Sequence, residues 1–336
     1  MKIPRIPTKH SRGRNAKDGV AAAVRDKAGP AGMYMSILGK EAASLVGRRR
    51  TDRKGPSDAA AIPSPASLPP VERRIRIAAT DDAAFRRVVA AREGECAHGG
   101  YLHAVTFPIA MELMSKKSFP LRLLGLIHLE NSVTQHRPVT LDTTVKVRVR
   151  VKEFGSHRRG TTVRILAEIW DSSGELAYTD ESLYLSKQPS GDAEKRDSAP
   201  ASGASARENR PDPRVGLTLI GQWRLPSTTG RAYAKVSGDA NPIHLSNTSA
   251  KLFGMKGAIA HGMYCASRAL SQVTSDPSAP CEWTVEFGAP VQLPSTVRIW
   301  RDLSSPTNDK RTVLRGVGPK KRKNFEFSWQ SAGTSG

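Results

Sequence analysis

Apolar and polar positions divide the chain into a patternless start, two structured halves and a polar connection between them. Residues 1–30 have no hydrophobic periodicity and are rich in Lys, Arg, Gly and Pro, the composition of a segment that cannot bury a core. From Met33 to Val46, Ile37, Leu38, Ala42 and Leu45 recur at helical spacing, with Arg48, Arg49 and Arg50 following. That predicts one amphipathic helix with cations at its favourable end. Residues 56–70 hold five prolines and read as a linker. The first structured half, 71–187, opens with a capped helix at 80–92 and a buried helix at 107–114, FPIAMELM. Strands follow: Thr143–Val151 alternates Val with Lys and Arg, the period-2 pattern of a sheet with one wet face, and Thr161–Trp170 and Leu176–Leu185 continue it around the turn at 171–174. Residues 188–214 are Ser-, Ala- and Pro-rich with few large apolar residues, a flexible connection. The second half, 215–336, ends in strands around Val297–Leu303, Thr312–Val317 and Asn324–Trp329, with Lys320–Lys323 reading as a solvated hairpin tip.

The two halves repeat one another. Pro138-Val139-x-Leu141-x-x-Thr144-Val145 matches Pro290-Val291-x-Leu293-x-x-Thr296-Val297, and the same offset sets Phe107–Leu113 on Ile259–Cys265. Two copies of one α+β unit, each a long helix with antiparallel strands, follow from this. At that offset Asp239 falls on Arg87 and His244 on Arg92, so only the second copy carries acid–base groups.

Composition narrows the class. The chain of 336 residues has a net charge of +21, of which residues 1–55 supply 14 Lys/Arg against 4 Asp/Glu. A basic surface suits any polyanion, including the phosphates of coenzyme A, an acidic carrier protein, nucleic acid or an anionic membrane. Cys96, Cys265 and Cys281 are odd in number and widely spaced, which fits a reducing compartment and implies no metal site. No apolar run reaches the ~18 residues of a membrane helix. A cytoplasmic location is expected, or a mitochondrial one if the Arg-rich start is a transit peptide.

The densest chemistry lies between Tyr233 and Met263. Asp239 and His244 flank Asn241-Pro242, where proline fixes its own φ and keeps Asn241 out of the helical region. A turn there can aim both side chains at one point. Ser227 or Thr228 can cap a helix that Gly238 ends, and Ser246 or Asn247 can cap a second that stops near Gly254. A third helix is predicted from about Ile259, with His261 and Gly262 in its first turn, where free N–H groups make a candidate oxyanion hole. His98, His103, His128 and His136 lack ligand spacing and read as structural, and Cys265 as a small buried hydrophobe.

Tyr233-x-x-x-Ser237-Gly238-Asp239-x-Asn241-Pro242-Ile243-His244 followed by Ile259-Ala260-His261-Gly262-Met263 resembles the signature of the MaoC-like (R)-specific enoyl hydratase and 3-hydroxyacyl thioester dehydratase family. The first half, with FPIAMELM and QHRPVTLDTTVKVRVRV, is similar to the N-terminal half of its two-domain, double hotdog members of actinobacterial type. The resemblance covers about residues 70–187 and 215–330. It implies an α+β double hotdog, two copies of a long helix wrapped by an antiparallel sheet, in which 71–187 is non-catalytic and 215–336 catalytic. It further implies Asp239 and His244 as the catalytic pair and the Gly262 amide in an oxyanion hole, with Asn241, His261 and Ser237 as the other substrate-binding candidates. Family members often use a serine near the middle of the long helix; here Leu270 stands about there, with Ser267 and Ser271 nearby.

The expected reaction is reversible hydration of trans-2-enoyl thioesters, or dehydration of (R)-3-hydroxyacyl thioesters, in fatty-acid metabolism. It needs a base for the water, an acid for the α-carbon and donors for the thioester oxygen, and no cofactor or metal. The substrate would be an acyl-CoA or acyl-carrier-protein thioester, the latter bringing an acidic partner, and the protein a monomeric double hotdog or a homodimer. The competing readings are a non-catalytic acyl-thioester-binding or scaffold subunit, and a nucleic-acid-binding protein working through its basic arm, which the modest charge of the folded part disfavours.

Overall fold

A computed structural model of the chain describes residues 62–123, 125–187, 212–303 and 311–332. The expected basic segment 1–55 with its amphipathic helix, and most of the 188–214 connection, lie outside the described residues.

The first half contributes β1 (Val71–Arg76), α1 (Ala79–Val89), α2 (Gly99–Met114), β2 (Ile127–Gln135), β3 (Thr144–His157), β4 (Gly160–Trp170) and β5 (Leu176–Lys187). The second contributes β6 (Thr218–Leu225), α3 (Thr229–Ser237), α4 (Pro242–Leu245), α5 (Asn247–Leu252), α6 (Gly262–Val273), β7 (Cys281–Phe287), β8 (Ser295–Arg301), β9 (Arg311–Val317) and β10 (Lys323–Ser331). All ten strands form one sheet in the order β1-β3-β4-β5-β2-β7-β10-β9-β8-β6, with antiparallel pairing throughout. Each half has the same internal order, and the halves meet where β2 pairs with β7. This is the double hotdog that the resemblance implies.

The β2–β7 register locates the symmetry. Ser132 pairs with Thr284, their hydroxyls 3.3 Å apart and 152 positions apart in the chain. That spacing is the sequence repeat itself, so the pseudo-two-fold axis passes through this pair. On β3 the alternating valines read from the sequence turn inward: Val145, Val147, Val149 and Val151 are all buried.

The helices depart from that spacing. α2 starts at Gly99, well before the expected 107, because His98 caps it, its Nδ1 accepting from Gly100 N at 2.9 Å. Likewise α6 starts at Gly262 rather than near Ile259, with His261 at its N-cap position. His98 and His261 are therefore the structural counterparts, and the match of Phe107–Leu113 to Ile259–Cys265 does not hold. α1 ends in the left-handed residue Ala90 and α3 in the left-handed Gly238, which sets Phe85 opposite Tyr233; the two rings meet at 5.8 Å across the joint. Arg87 and Arg92 accordingly have no relation to Asp239 and His244. Between the matched ends the second half simply has more chain, 239–260 against 91–97, and folds α4 and α5 from it.

α2 and α6 pack side by side through small residues. A Cβ on Gly100 would fall 2.2 Å from Ser267 Oγ and 2.7 Å from Ser267 Cβ, so Gly100 is required by the closeness of the helices. Ser267 is spoken for, its hydroxyl donating to Met263 O at 2.7 Å, and Ser271 Oγ donates to Ser267 O and meets His98 Nε2 at 2.9 Å. Leu270 is fully buried in the same joint. Gly100→Ala is expected to destabilise folding by about 1–3 kcal/mol through overpacking. Urea unfolding measures this, and an unchanged midpoint would mean the helices can separate freely.

Candidate active site

α3, α4 and the start of α6 converge on Asp239, His244 and His261. Tyr233 and Ala234 bury one face of α3, and Gly238 with φ 75° reverses the chain so that Asp239 follows immediately. The expected turn between Asp239 and His244 is shorter than anticipated. Asp239 Oδ1 accepts from Asn241 N at 3.2 Å, and Asn241 Oδ1 then caps α4 by accepting from Ile243 N, with Pro242 at its first position. His244 sits on that single helical turn, 7% exposed. Ser246 caps α5, and Asn247 Oδ1 accepts from Ala258 N at 2.9 Å, tying the returning chain to the excursion.

His244 Nδ1 lies 2.8 Å from Ile259 O. A carbonyl only accepts, so Nδ1 carries the proton and the neutral ring keeps its lone pair on Nε2. His261 Nε2 lies 2.9 Å from Asp239 O and is fixed as a donor in the same way, while its ring stacks on His244 with centroids 3.6 Å apart. One ligand-type atom from each of Asp239, His244 and His261 falls within 4.8 Å of the others. Two ring nitrogens of this set are committed to backbone carbonyls, and stacked rings send their in-plane lone pairs side by side instead of toward a common point. The set is better suited to moving protons than to holding a metal ion.

Burial sets the electrostatics. It pushes the Asp239 carboxyl above the ordinary carboxylate value, against the opposing pull of His244. It pushes His244 below the ordinary imidazole value, against the pull of Asp239, and His261 well below, with His244 adding to the effect. Both members of the Asp239–His244 pair are thereby moved toward their neutral forms.

The start of α6 differs from its counterpart in one decisive way. In the first half Gly99 N donates to Pro277 O at 2.9 Å and Gly100 N to His98 Nδ1, whose pKa burial and Arg86 hold at about 3, so that the ring stays an acceptor. In the second half His261 turns its ring to Asp239 and caps nothing, and among the described residues Gly262 N–H has no acceptor. A Cβ on Gly262 would meet the Phe287 ring at 2.7 Å, so the helix start is held tightly against β7. Ser237 is behind the site, its hydroxyl donating to Tyr233 O and accepting from Asp239 N.

Residues 204–318 match the MaoC like domain. The chain is 32% identical over 218 residues to 3-hydroxyacyl-thioester dehydratase X of Mycobacterium tuberculosis, covering 65% of this chain and 74% of the relative. The chain belongs to the MaoC-like dehydratase family. A second relative of this MaoC-like protein, 3-hydroxybutyryl-CoA dehydratase of Methylorubrum extorquens, is 33% identical over 104 residues, 30% of this chain and 66% of the relative. The crystal structure of HtdX from Mycobacterium tuberculosis superposes with a TM-score of 0.65 at 27% identity, over 79% of this chain and 100% of the other. As a MaoC-like dehydratase the chain is a hydro-lyase of the hydratase and dehydratase type. Among its described residues no helix is long and apolar enough to cross a membrane.

In the first half the place of the 239–260 excursion is closed by a residue that the sequence reading passed over. Arg86, 3% exposed, pairs with buried Asp82 and donates to Arg92 O and Cys96 O, while Asp82 accepts from His98 N. Its helical spacing from Asp82 was the available signal. Arg86→Ala strands a buried carboxylate and should cost about 3–5 kcal/mol, whereas Arg92→Ala, at a groove edge with Ser271 and Thr274, should leave both stability and turnover near normal. Melting curves and rates on the two variants test this division, and a loss of turnover in folded Arg92→Ala protein would contradict it.

Proposed function

We propose that this MaoC-like hydro-lyase adds water reversibly to trans-2-enoyl thioesters, giving (R)-3-hydroxyacyl thioesters, with Asp239 and His244 as the acid–base pair and Gly262 N–H as an oxyanion donor. The observation that carries it is the contrast between the two helix starts: α2 satisfies its first N–H groups internally, and α6 leaves that of Gly262 without an acceptor among the described residues, next to His261 of the Asp239–His244–His261 cluster. An uncapped N–H at a helix start is where a developing enolate oxygen is best stabilised.

The steps balance without another reactant. His244 Nε2 takes a proton from water as the water oxygen bonds to C3. The C2–C3 π pair moves toward C1, and the negative charge collects on the thioester oxygen at Gly262 N–H. The Asp239 carboxyl delivers a proton to C2 as the carbonyl reforms, and the proton held by His244 returns to Asp239. Reversal of these steps removes water. A CoA or carrier-protein thioester is the fitting substrate, since the polyanionic carrier of either kind suits a basic protein.

Asp239→Asn and His244→Ala should each lower kcat by ~10²–10⁴-fold in folded protein, read as disappearance of conjugated enoyl-thioester absorbance; near-normal rates in either would remove that residue from the chemistry. The pH profile supplies a second check. His244 works as a base only when neutral, and burial lowers its pKa, so kcat/KM should hold as pH falls past 6.5 and decline only below it. An acid limb centred above 6.5 would contradict the role.

A further inference from the structure

The first half carries a buried polar cluster that neither the fold nor the mechanism above uses. His103 on α2 is 5% exposed, and its Nδ1 lies 2.6 Å from Asp180 Oδ2 on β5. Asn131 Nδ2 donates to Asp180 Oδ1 at 3.0 Å, and Ser182 Oγ donates to Asn131 Oδ1 at 2.8 Å. Among the described residues the ring hydrogen bond of His103 is made through Nδ1. Removing four such groups from water is costly, and the fold does not demand it. The pseudo-two-fold relation that pairs Ser132 with Thr284 and His98 with His261 sets Ala266 at the position of His103, Trp283 at Asn131, Phe327 at Asp180 and Trp329 at Ser182. The second half builds the same place from a stacked Trp283–Phe327 pair, ring centroids 5.7 Å apart.

The polar version faces the start of α6. Gly100 on α2 touches Ser267 on α6, and the same symmetry places Ala104, the residue after His103, against Met263 in the first turn of α6. Ring contacts close the circuit: His103 stacks on His128 at 6.3 Å, His128 meets Phe287 at 4.9 Å, and Phe287 is the ring against which Gly262 packs.

We propose that His103, oriented by Asp180, is a second oxyanion donor of the site, its Nε2–H sharing the thioester carbonyl oxygen with Gly262 N–H. This rests on the proposed hydration reaction. Asp180 accepts from Nδ1–H, which turns Nε2 away from it, and a ring carrying a proton on each nitrogen adds a side-chain donor to the one that the backbone amide supplies. The first repeat thus contributes a catalytic residue to the site of the second. Single chains with both halves joined would be needed for turnover, since neither half alone holds both donors.

The test uses the full chain and two readouts. The first is steady-state hydration of crotonyl-CoA by wild type, His103→Leu, His103→Gln and Asp180→Asn, each confirmed folded by its melting transition. We expect kcat to fall by ~10²-fold or more in His103→Leu with KM changed little, and His103→Gln, which keeps a side-chain N–H, to recover part of it. The second is the absorbance maximum of bound 4-dimethylaminocinnamoyl-CoA, which moves to the red as its carbonyl is polarised. Wild type should show the red shift and His103→Leu a smaller one, a signature that a purely structural role would not move. Wild-type kcat in folded His103→Leu, or an undiminished red shift, overturns the proposal. If His103→Leu does not fold, Asp180→Asn and His103→Gln decide it by the same red shift. A wild type that polarises the bound probe but does not hydrate crotonyl-CoA would instead count against the hydration reading, leaving the His103 assignment to the spectrum.

Discussion

Everything in this protein hangs on the seam between its two repeats, where β2 pairs with β7 and α2 lies against α6. The pairing of Ser132 with Thr284 fixes the register of the whole ten-stranded sheet, because a slip of one residue would turn every inward side chain of either half toward solvent. The helices can reach the same axis only because Gly100 and Ser267 are small. A further bond crosses the seam, Gln135 Nε2 donating to Ser278 O at 2.5 Å, and within the first half Tyr178 OH donates to Gly99 O at 2.9 Å, pinning the start of α2. A helix start that is clamped in this way is a fixed point from which the other, α6, can be aimed.

On that symmetric frame the proposed function rests on three asymmetries. Additional chain between Gly238 and His261 lets α4 bring His244 over His261. An uncapped α6 leaves Gly262 N–H open, where α2 spends its own. Polar groups at His103, Asn131, Asp180 and Ser182 replace the aromatic packing of Trp283, Phe327 and Trp329. Each departs from what a stable hotdog alone would favour, and the proposed site draws all three together at the start of α6. The complementary departures in the first half go the other way: Arg86 and Asp82 close the short connection with a saturated ion pair, which makes it rigid and chemically silent.

Burial unites structure and reactivity here. His244 and His261 are buried and Asp239 is partly buried beside them, and that burial raises the carboxyl and lowers both imidazoles. The same burial strengthens whatever donors face the thioester oxygen. His261 is then intelligible as a support: it holds the Asp239 carbonyl through Nε2 and stacks under His244, with Tyr233 at 4.9 Å on its other flank. Its low pKa keeps that ring neutral, so it adds no competing charge.

The sequence by itself determined the two-fold repeat, the sheet-forming stretches with their inward valines, and the motif around Asp239 and His244. These are legible because strand period, proline and glycine act locally. The Gly238 helix stop and the Ser246 cap belong to the same class. Tertiary structure decided the rest. α2 begins at Gly99 because His98 caps it and Pro277, remote in sequence, accepts from Gly99 N, which no local pattern announces. The equivalence of His98 with His261 emerges only once the unequal connections are seen to bridge the same gap, which a constant offset through Arg87 and Arg92 had hidden. Likewise His103 and Asp180 are far apart along the chain and individually unremarkable. The one trace they leave is on β5, where Asp180 and Ser182 interrupt the inward face between Tyr178 and Tyr184. A polar side chain on a strand acquires meaning from what the sheet presses against it, and that is set by the fold of the second half around the first.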